Sequence, residues 1–228
     1  MTERSKDLIE TPQLTLVRAT TPLLTAEEAY FEACHRWGER AEKLPLKDWA
    51  QNELFQERQT SGRRFQELLG ASFSGFDWGQ LIAADLAQPW PQPLDDYDSR
   101  DLAMLYLRSS PESRWGMWYL LFKRPLNKFE KALLIGTCGF KGPPSKEGIV
   151  EIGYRIEERY QAVDLATEAV GALVAHALED PRVRHVMAET SAHHVPSIRV
   201  LGKSGFRRGG TGSGPGSLLF QRDREAAR

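Results

Sequence analysis

The chain has 228 residues, 30 basic and 31 acidic side chains, a formal charge of -1 and six tryptophans. Such a length and composition give one domain, or one domain with an insertion, able to bury a sizeable core. Balanced charge removes the bulk electrostatic case for nucleic acid or a membrane surface, and no apolar run approaches the roughly 20 residues of a membrane helix. Met1 to Asp7 is polar and mixed in charge, so no secretory signal is expected. The two cysteines, Cys34 and Cys138, stand far apart and fit no metal spacing. A reducing cytoplasm is the expected setting, with a disulfide between the two as the alternative.

Leu14-Thr15-Leu16-Val17-Arg18 alternates and predicts a first strand. Thr25 ahead of Ala26, Glu27 and Glu28 predicts a helix cap followed by first-turn acids, with the helix running to about Arg36. Pro45 interrupts. A second helix is predicted over about Asp48 to Leu69, with Trp49, Leu54, Phe55, Phe65, Leu68 and Leu69 as apolar contacts and Gly70 at its end. Asp77 to Ala87 predicts a third helix. Pro89-Trp90-Pro91-Gln92-Pro93 breaks structure, because each proline removes an amide donor and restricts its predecessor. Asp95 to Leu107 returns to helical spacing. Trp115 to Phe122, Ala132 to Phe140 and Ile149 to Ile156 are predicted strands, with Gly142-Pro143-Pro144 as a turn. Gly209 to Gly216 predicts a mobile loop between two terminal strands, and no internal repeat is visible.

The stretch from Ile149 to Phe206 carries the most information. Alternation puts Ile152, Tyr154 and Ile156 on one face of a strand, and Glu151, Gly153 and Arg155 on the other. A glycine inside a strand, here Gly153, marks close approach by another backbone or a ligand. From Ala166, the residues Ala169, Val170, Leu173, Val174, Ala177 and Leu178 keep helical spacing through three turns. His185 to Thr190 is the following strand. Strand, helix, strand predicts a right-handed parallel crossover. Pro196 suits the first turn of a last helix and Gly205 the residue just past its end, with Ile198, Val200 and Leu201 as buried positions.

Thr137-Cys138-Gly139-Phe140, Val150-Glu151-Ile152-Gly153-Tyr154, Ala166-Thr167-Glu168-Ala169 and the run Ser197 to Phe206 follow one another as landmarks. In that order the chain resembles the GNAT superfamily of N-acetyltransferases, nearest the branch of the ribosomal-protein-alanine N-acetyltransferases. The resemblance covers about Trp115 to Phe220. It implies an α/β (α+β) fold: a mixed, mostly antiparallel twisted sheet with a splayed parallel strand pair, helices on both faces, and an N-terminal helical elaboration. Residues 1–228 are then one domain, with 28–87 the elaboration and 115–221 the sheet and cofactor-binding half. The elaboration forms a substrate wall, a partner surface or extra packing.

The resemblance also implies acetyl-CoA as cosubstrate. Its pantetheine arm would pair with the exposed edge at Ile152, Gly153 and Tyr154, and an amine would attack the thioester directly. Strand amides would polarise the carbonyl and a carboxylate would take the amine proton. By position Ser197 matches the hydroxyl residue that assists the departing thiolate; a first-turn serine satisfying a local amide is the plain alternative. Glu151 is the best-placed carboxylate, or else a solvent-facing strand residue. Tyr154 lines the acyl slot or simply packs. The implied acceptor is a small-molecule or peptide amine, with no membrane or nucleic-acid partner expected and a homodimer left open.

The pyrophosphate loop departs from the family's pattern. Gln161 and Ala166 fit it, but Ala162 and Val163 stand where this branch has glycine and arginine, and Asp164 replaces the central glycine. Aspartate there is expected to cap the helix through the amides of Ala166 or Thr167, and to repel phosphate. Lys203 or Arg207 would supply the missing positive charge. His194 stands at the branch's asparagine, imitating one of its two polar functions at a time. His193-His194 lacks a third ligand, and no metal is expected. The first reading is a working N-acetyltransferase with an altered loop; the alternative is a GNAT-fold pseudoenzyme acting as a binding or scaffold module. A nucleic-acid adaptor has only Arg207-Arg208 behind it, which a solvated basic rim explains equally.

Overall fold

Short apolar runs with alternating or β-branched residues form the strands where expected: β2 (Leu14–Arg18), β4 (Ala132–Phe140) and β5 (Ile149–Ile156). The structure, a computed structural model, describes residues 7–41, 43, 48, 51–71, 107, 108, 110, 113–123 and 132–224. The helix expected over Asp77 to Ala87, the proline-rich break after it, Pro45 and Trp49 lie outside those residues, as does most of Asp95 to Leu107. A three-residue strand unseen in the sequence, β1 (Leu8–Glu10), precedes β2. The remaining strands are β3 (Met117–Lys123), β6 (His185–Ser191), β7 (Arg207–Thr211) and β8 (Ser217–Asp223). Gly209 and Gly210 thus belong to β7 rather than to a loop, at a register shift between Arg208 and Gly210. Glycine at such an irregularity is a usual choice.

The strands make one eight-stranded sheet in the order β1-β2-β3-β4-β5-β6-β8-β7. β5 and β6 run parallel, whereas β1–β2, β2–β3, β4–β5, β6–β8 and β7–β8 are antiparallel. The mixed GNAT-type architecture expected from the sequence is therefore present. Between β5 and β6 lies α3 (Leu165–Leu178), and after β6 comes α4 (Val195–Lys203). Leu165, Ala169, Val170, Leu173, Val174 and Ala177 bury one face of α3 in a core shared with Leu14, Leu16, Val150, Ile152, Ile156, Val186 and Ala188. Glu168 ties the same helix to the β1–β2 turn, accepting from Thr11 Oγ1 at 2.5 Å and from the Gln13 amide at 2.7 Å.

The chain divides into two compact units. The sheet, α3 and α4 belong to the unit made of Met1–Arg18, Glu112–Lys123 and Leu133–Arg228. The other unit, Ala19–Pro111 with Arg124–Ala132, contains α1 (Thr21–Ala41) and α2 (Glu53–Ala71). Helix α1 begins at Thr21 rather than at a Thr25 cap, and Leu24 donates to the Thr20 carbonyl. Pro22 fits that first turn, where its missing amide has no helical partner to lose. Glu27 is consequently an interior, buried residue, not a first-turn acid. Helix α2 starts later than predicted because Asn52 caps it, its side-chain oxygen accepting from the Leu54 amide at 3.0 Å. The two helices meet through Tyr30 stacked on Phe65 and Trp37 edge-on to Phe55.

Candidate functional site

A fork between β5 and β6 organises the site. The two strands pair as parallel neighbours only at Ile149–His185, Val150–Val186 and Glu151–Met187. Beyond that point β6 continues beside β8 to Ser191, while β5 continues beside β4 to Ile156. Lys141 donates its amide to Glu151 and Glu157 donates to Ile135, so odd-numbered residues of β5 bond to β4. In an antiparallel ladder the intervening residues point their polar groups the other way. The amide and carbonyl of Tyr154 therefore face the opening. Ile156 marks its far end, where Gln161 Nε2 donates to the Ile156 carbonyl at 2.8 Å. Gly153 is exposed, and a Cβ built there would meet nothing within 4 Å.

The loop ahead of α3 lies beside this end of the fork. Gln161, Ala162, Val163 and Asp164 are all exposed. Ala162 and Asp164 have φ of 63° and 61°, the left-handed conformation that glycine adopts at least cost. The carboxylate of Asp164 was expected from the sequence to cap the helix; the structure corrects this, since no side-chain cap bond forms. With its backbone turned left-handed, Asp164 instead reaches Lys203 Nζ at 2.5 Å, at the far end of α4. The amides of Leu165, Ala166 and Thr167 are left without an acceptor among the described residues. Thr167 Oγ1 is also buried without a partner among the described residues. A helix start with free amides and an adjacent ammonium has the polarity an anion needs.

Ser197 sits in the first turn of α4 and is buried. Its hydroxyl does not serve a local amide, as the plain alternative had it, but lies 2.7 Å from the Tyr154 hydroxyl. Burial pushes the Tyr154 phenol up, with the Ser197 contact acting in the opposite direction. Tyr154 thus does more than fill space: it joins β5 to the helix that follows β6. His194 is the exposed residue before α4; its side chain makes no cap bond, and its carbonyl accepts from the Ile198 amide at 3.2 Å. Gly205 ends α4 with φ of 79°, and the Phe206 amide returns to the Leu201 carbonyl at 3.0 Å.

Two carboxylates border the fork on the face that carries Gly153. Glu151 stands at the last parallel pair and forms an ion pair with Lys141. Glu189, which no sequence motif singled out, lies two residues past that pair on β6. Its Oε2 accepts from Ser213 N and Ser213 Oγ at 2.8 Å and from Ser217 Oγ at 3.2 Å. The Ser213 amide first, then its hydroxyl, hold the Glu189 carboxyl below its ordinary range. Strand alternation on β6 was the signal available for it. The sequence-predicted residues therefore fall in three places: Ile152, Gly153, Tyr154 and Ser197 at the opening, Gln161, Ala162, Val163, Asp164 and Ala166 at the helix start, and Glu151 at the fork's base. His194 stands apart at the α4 entry. Among the described residues no three His, Cys, Asp or Glu side chains are placed to hold a metal ion, and no helix is long and apolar enough to cross a membrane.

The family profile described as Acetyltransferase (GNAT) domain matches residues 76–207. A curated relative, the uncharacterized N-acetyltransferase p20 of Bacillus licheniformis, is 30% identical over 143 residues, spanning 58% of this chain and 77% of that protein. Among solved structures, the acetyltransferase from Agrobacterium tumefaciens str. C58 superposes with a TM-score of 0.50 at 14% identity, covering 95% of this chain and 94% of its own. At that identity the likeness is one of fold.

Proposed function

This chain belongs to the GNAT acetyltransferase family, and we propose that it moves an acetyl group from acetyl-CoA to a primary amine by direct attack in a ternary complex. The observation that carries this reading is the parting of β5 from β6 after Glu151–Met187, which leaves the Tyr154 amide and carbonyl facing an open edge. An extended pantetheine arm has amides of its own and can pair with such an edge as an added strand would. The pyrophosphate is assigned to the free amides of Leu165, Ala166 and Thr167, with Lys203 as the nearby cation. Ile152, Gly153, Gln161, Ala162, Val163, Asp164 and His194 border the cofactor in this reading. The run Ser197 to Phe206 supports a place near the ribosomal-protein-alanine branch, and the acceptor is a small-molecule or peptide amine.

The thioester carbonyl would lie along β5, where amide donors stabilise charge that develops on oxygen. Ser197 is assigned the hydrogen bond to the departing sulfur. Glu151 is assigned the proton from the attacking amine, directly or through water, because three donors already occupy Glu189 Oε2. Glu151→Gln should then lower turnover with acetyl-CoA affinity unchanged. Turnover retained there and lost in Glu189→Gln would move the base across the fork. Residues 1–228 are read as one domain, with 28–87 a helical elaboration and 115–221 the sheet and cofactor-binding half.

The test of the reading is a thiol-release assay with acetyl-CoA over peptide amines, aminoglycosides, polyamines and amino-acid-like amines, run beside thermal unfolding. Acetyl-CoA at a hundredfold excess over its dissociation constant should stabilise the fold by about 2.7 kcal/mol. At least one amine class should release CoA. The absence of both stabilisation and CoA release at millimolar acetyl-CoA would refute the transferase reading.

A further inference from the structure

Tyr154 lies on the part of β5 that has left β6, and Ser197 lies in the first turn of the helix that follows β6. Their hydroxyls, 43 residues apart in sequence, approach to 2.7 Å. The Tyr154 hydroxyl also lies 3.2 Å from the Ser197 carbonyl. A phenol carries one proton, which goes to one of the two. The shorter contact matches the usual separation for an O–H to oxygen bond, and the longer one exceeds it. The Ser197 carbonyl already has a claim on it, since first-turn carbonyls accept from amides one turn on. The phenol proton therefore belongs on Ser197 Oγ. Ser197 then has a proton of its own to give and no need to spend it on Tyr154. In the reverse arrangement, Ser197 donates to Tyr154, Tyr154 donates to the Ser197 carbonyl, and no donor is left over.

We propose that Tyr154 is a positioning residue: its hydroxyl donates to Ser197 Oγ and so turns the Ser197 O–H outward, as a hydrogen-bond donor to the sulfur of CoA at the fork. This rests on the transferase reading above and deepens it. When the carbon–sulfur bond of acetyl-CoA breaks, the electron pair goes to sulfur, and the Ser197 O–H is the donor that meets it. No proton has to leave Tyr154. The phenol ring packs, half-buried, against the hydrophobic core cluster, which restricts its direction. The same residue thus offers its backbone to the open edge and its side chain to the serine.

The test compares two probes, CoA and desulfo-CoA, which differ only in the sulfur. Their affinities are measured by calorimetry for the wild type, Tyr154→Phe, Ser197→Ala, the double variant and Ser197→Thr. The wild type should prefer CoA on the order of fivefold to tenfold, the net worth of one ordinary hydrogen bond. Tyr154→Phe and Ser197→Ala should each bring that preference close to one, the double variant should add nothing, and Ser197→Thr should keep it. A merely structural role would weaken both probes together and leave the ratio alone. A wild-type ratio in Tyr154→Phe, with the ratio lost in Ser197→Ala, would overturn the role of Tyr154. A wild-type ratio in Ser197→Ala would overturn it too, because the hydroxyl pair would then not meet sulfur. A Tyr154→Phe protein that fails to fold would also count against it, since the hydroxyl would then hold the fold and not aim a side chain. If the wild type binds neither probe, the transferase reading itself falls, which is a different result from the other three.

Discussion

Asp164 is the residue at which the sequence raised the sharpest objection to cofactor binding, and its geometry answers half of it. The carboxylate is turned away from the α3 amides and is paired with Lys203. Among the described residues nothing accepts from those amides, and the negative charge is compensated beside the helix start. Both partners are exposed, with side-chain exposures of 58% for Lys203 and 68% for Asp164. Pairs of that kind contribute below about 1 kcal/mol, so the effects of breaking this one are modest. Asp164→Gly should tighten CoA binding by about twofold to fivefold, since it removes a charge, frees Lys203 and suits the left-handed backbone. Lys203→Ala should weaken CoA binding by a similar factor, leaving Asp164 uncompensated. Calorimetric titration with CoA checks both. Weaker binding in Asp164→Gly would mean that the aspartate holds the loop in its competent shape.

At the scale of elements, α3 is fixed at both ends by side chains distant in sequence. Glu168 holds its first turn to Thr11 and Gln13. Near its last turn Arg114 Nε donates to His176 Nε2 at 3.0 Å, and a second Arg114 nitrogen reaches the His176 carbonyl. A ring nitrogen that accepts from a guanidinium must be unprotonated. Burial first, then the Arg114 charge, push His176 down to about 4, against a smaller opposing pull from Glu179. Between about pH 6.5 and about 4 the unfolded chain therefore binds the proton and the folded chain does not. Stability from this site is complete above the unfolded value and falls as pH drops through that window. Urea midpoints should decline from pH 7 to pH 5, and His176→Gln should flatten that decline. An unchanged slope would mean that the imidazole titrates freely in the fold.

Legibility also differed by element. β4 and β5 were readable to the residue, because a run of apolar residues in β4 and alternation in β5 are local signals. α3 was readable because its apolar spacing is unbroken for three turns, with only Leu165 added at the start. β1 escaped notice: three residues cannot show a period. The start of α1 was misplaced because Thr25 imitates a cap, while Pro22 one turn earlier is the stronger marker.

For the whole molecule, the order of landmarks was enough to name the family, but not to locate where the fork opens. That point depends on β6 keeping β8 through Ser191 while losing β5 after Met187, a competition between partners far apart in sequence. The same limit hid the Tyr154–Ser197 and Asp164–Lys203 contacts, which join residues 43 and 39 positions apart. Residue types at those positions were visible; their pairing was not. Net charge of -1 gives no long-range steering of an anionic cofactor, and the proposed reading assigns its recognition to local amides and the Lys203 ammonium.

Amide hydrogen exchange along β5, with and without saturating acetyl-CoA, tests the open edge most directly. The Tyr154 amide should exchange quickly in the free protein and slow markedly when the pantetheine arm pairs with it. The Gly153 amide, already turned towards β4, should change little. Acetyl-CoA that raises the melting temperature yet leaves Tyr154 exchange unaltered would contradict the pairing, and acetyl-CoA that does neither would contradict the transferase.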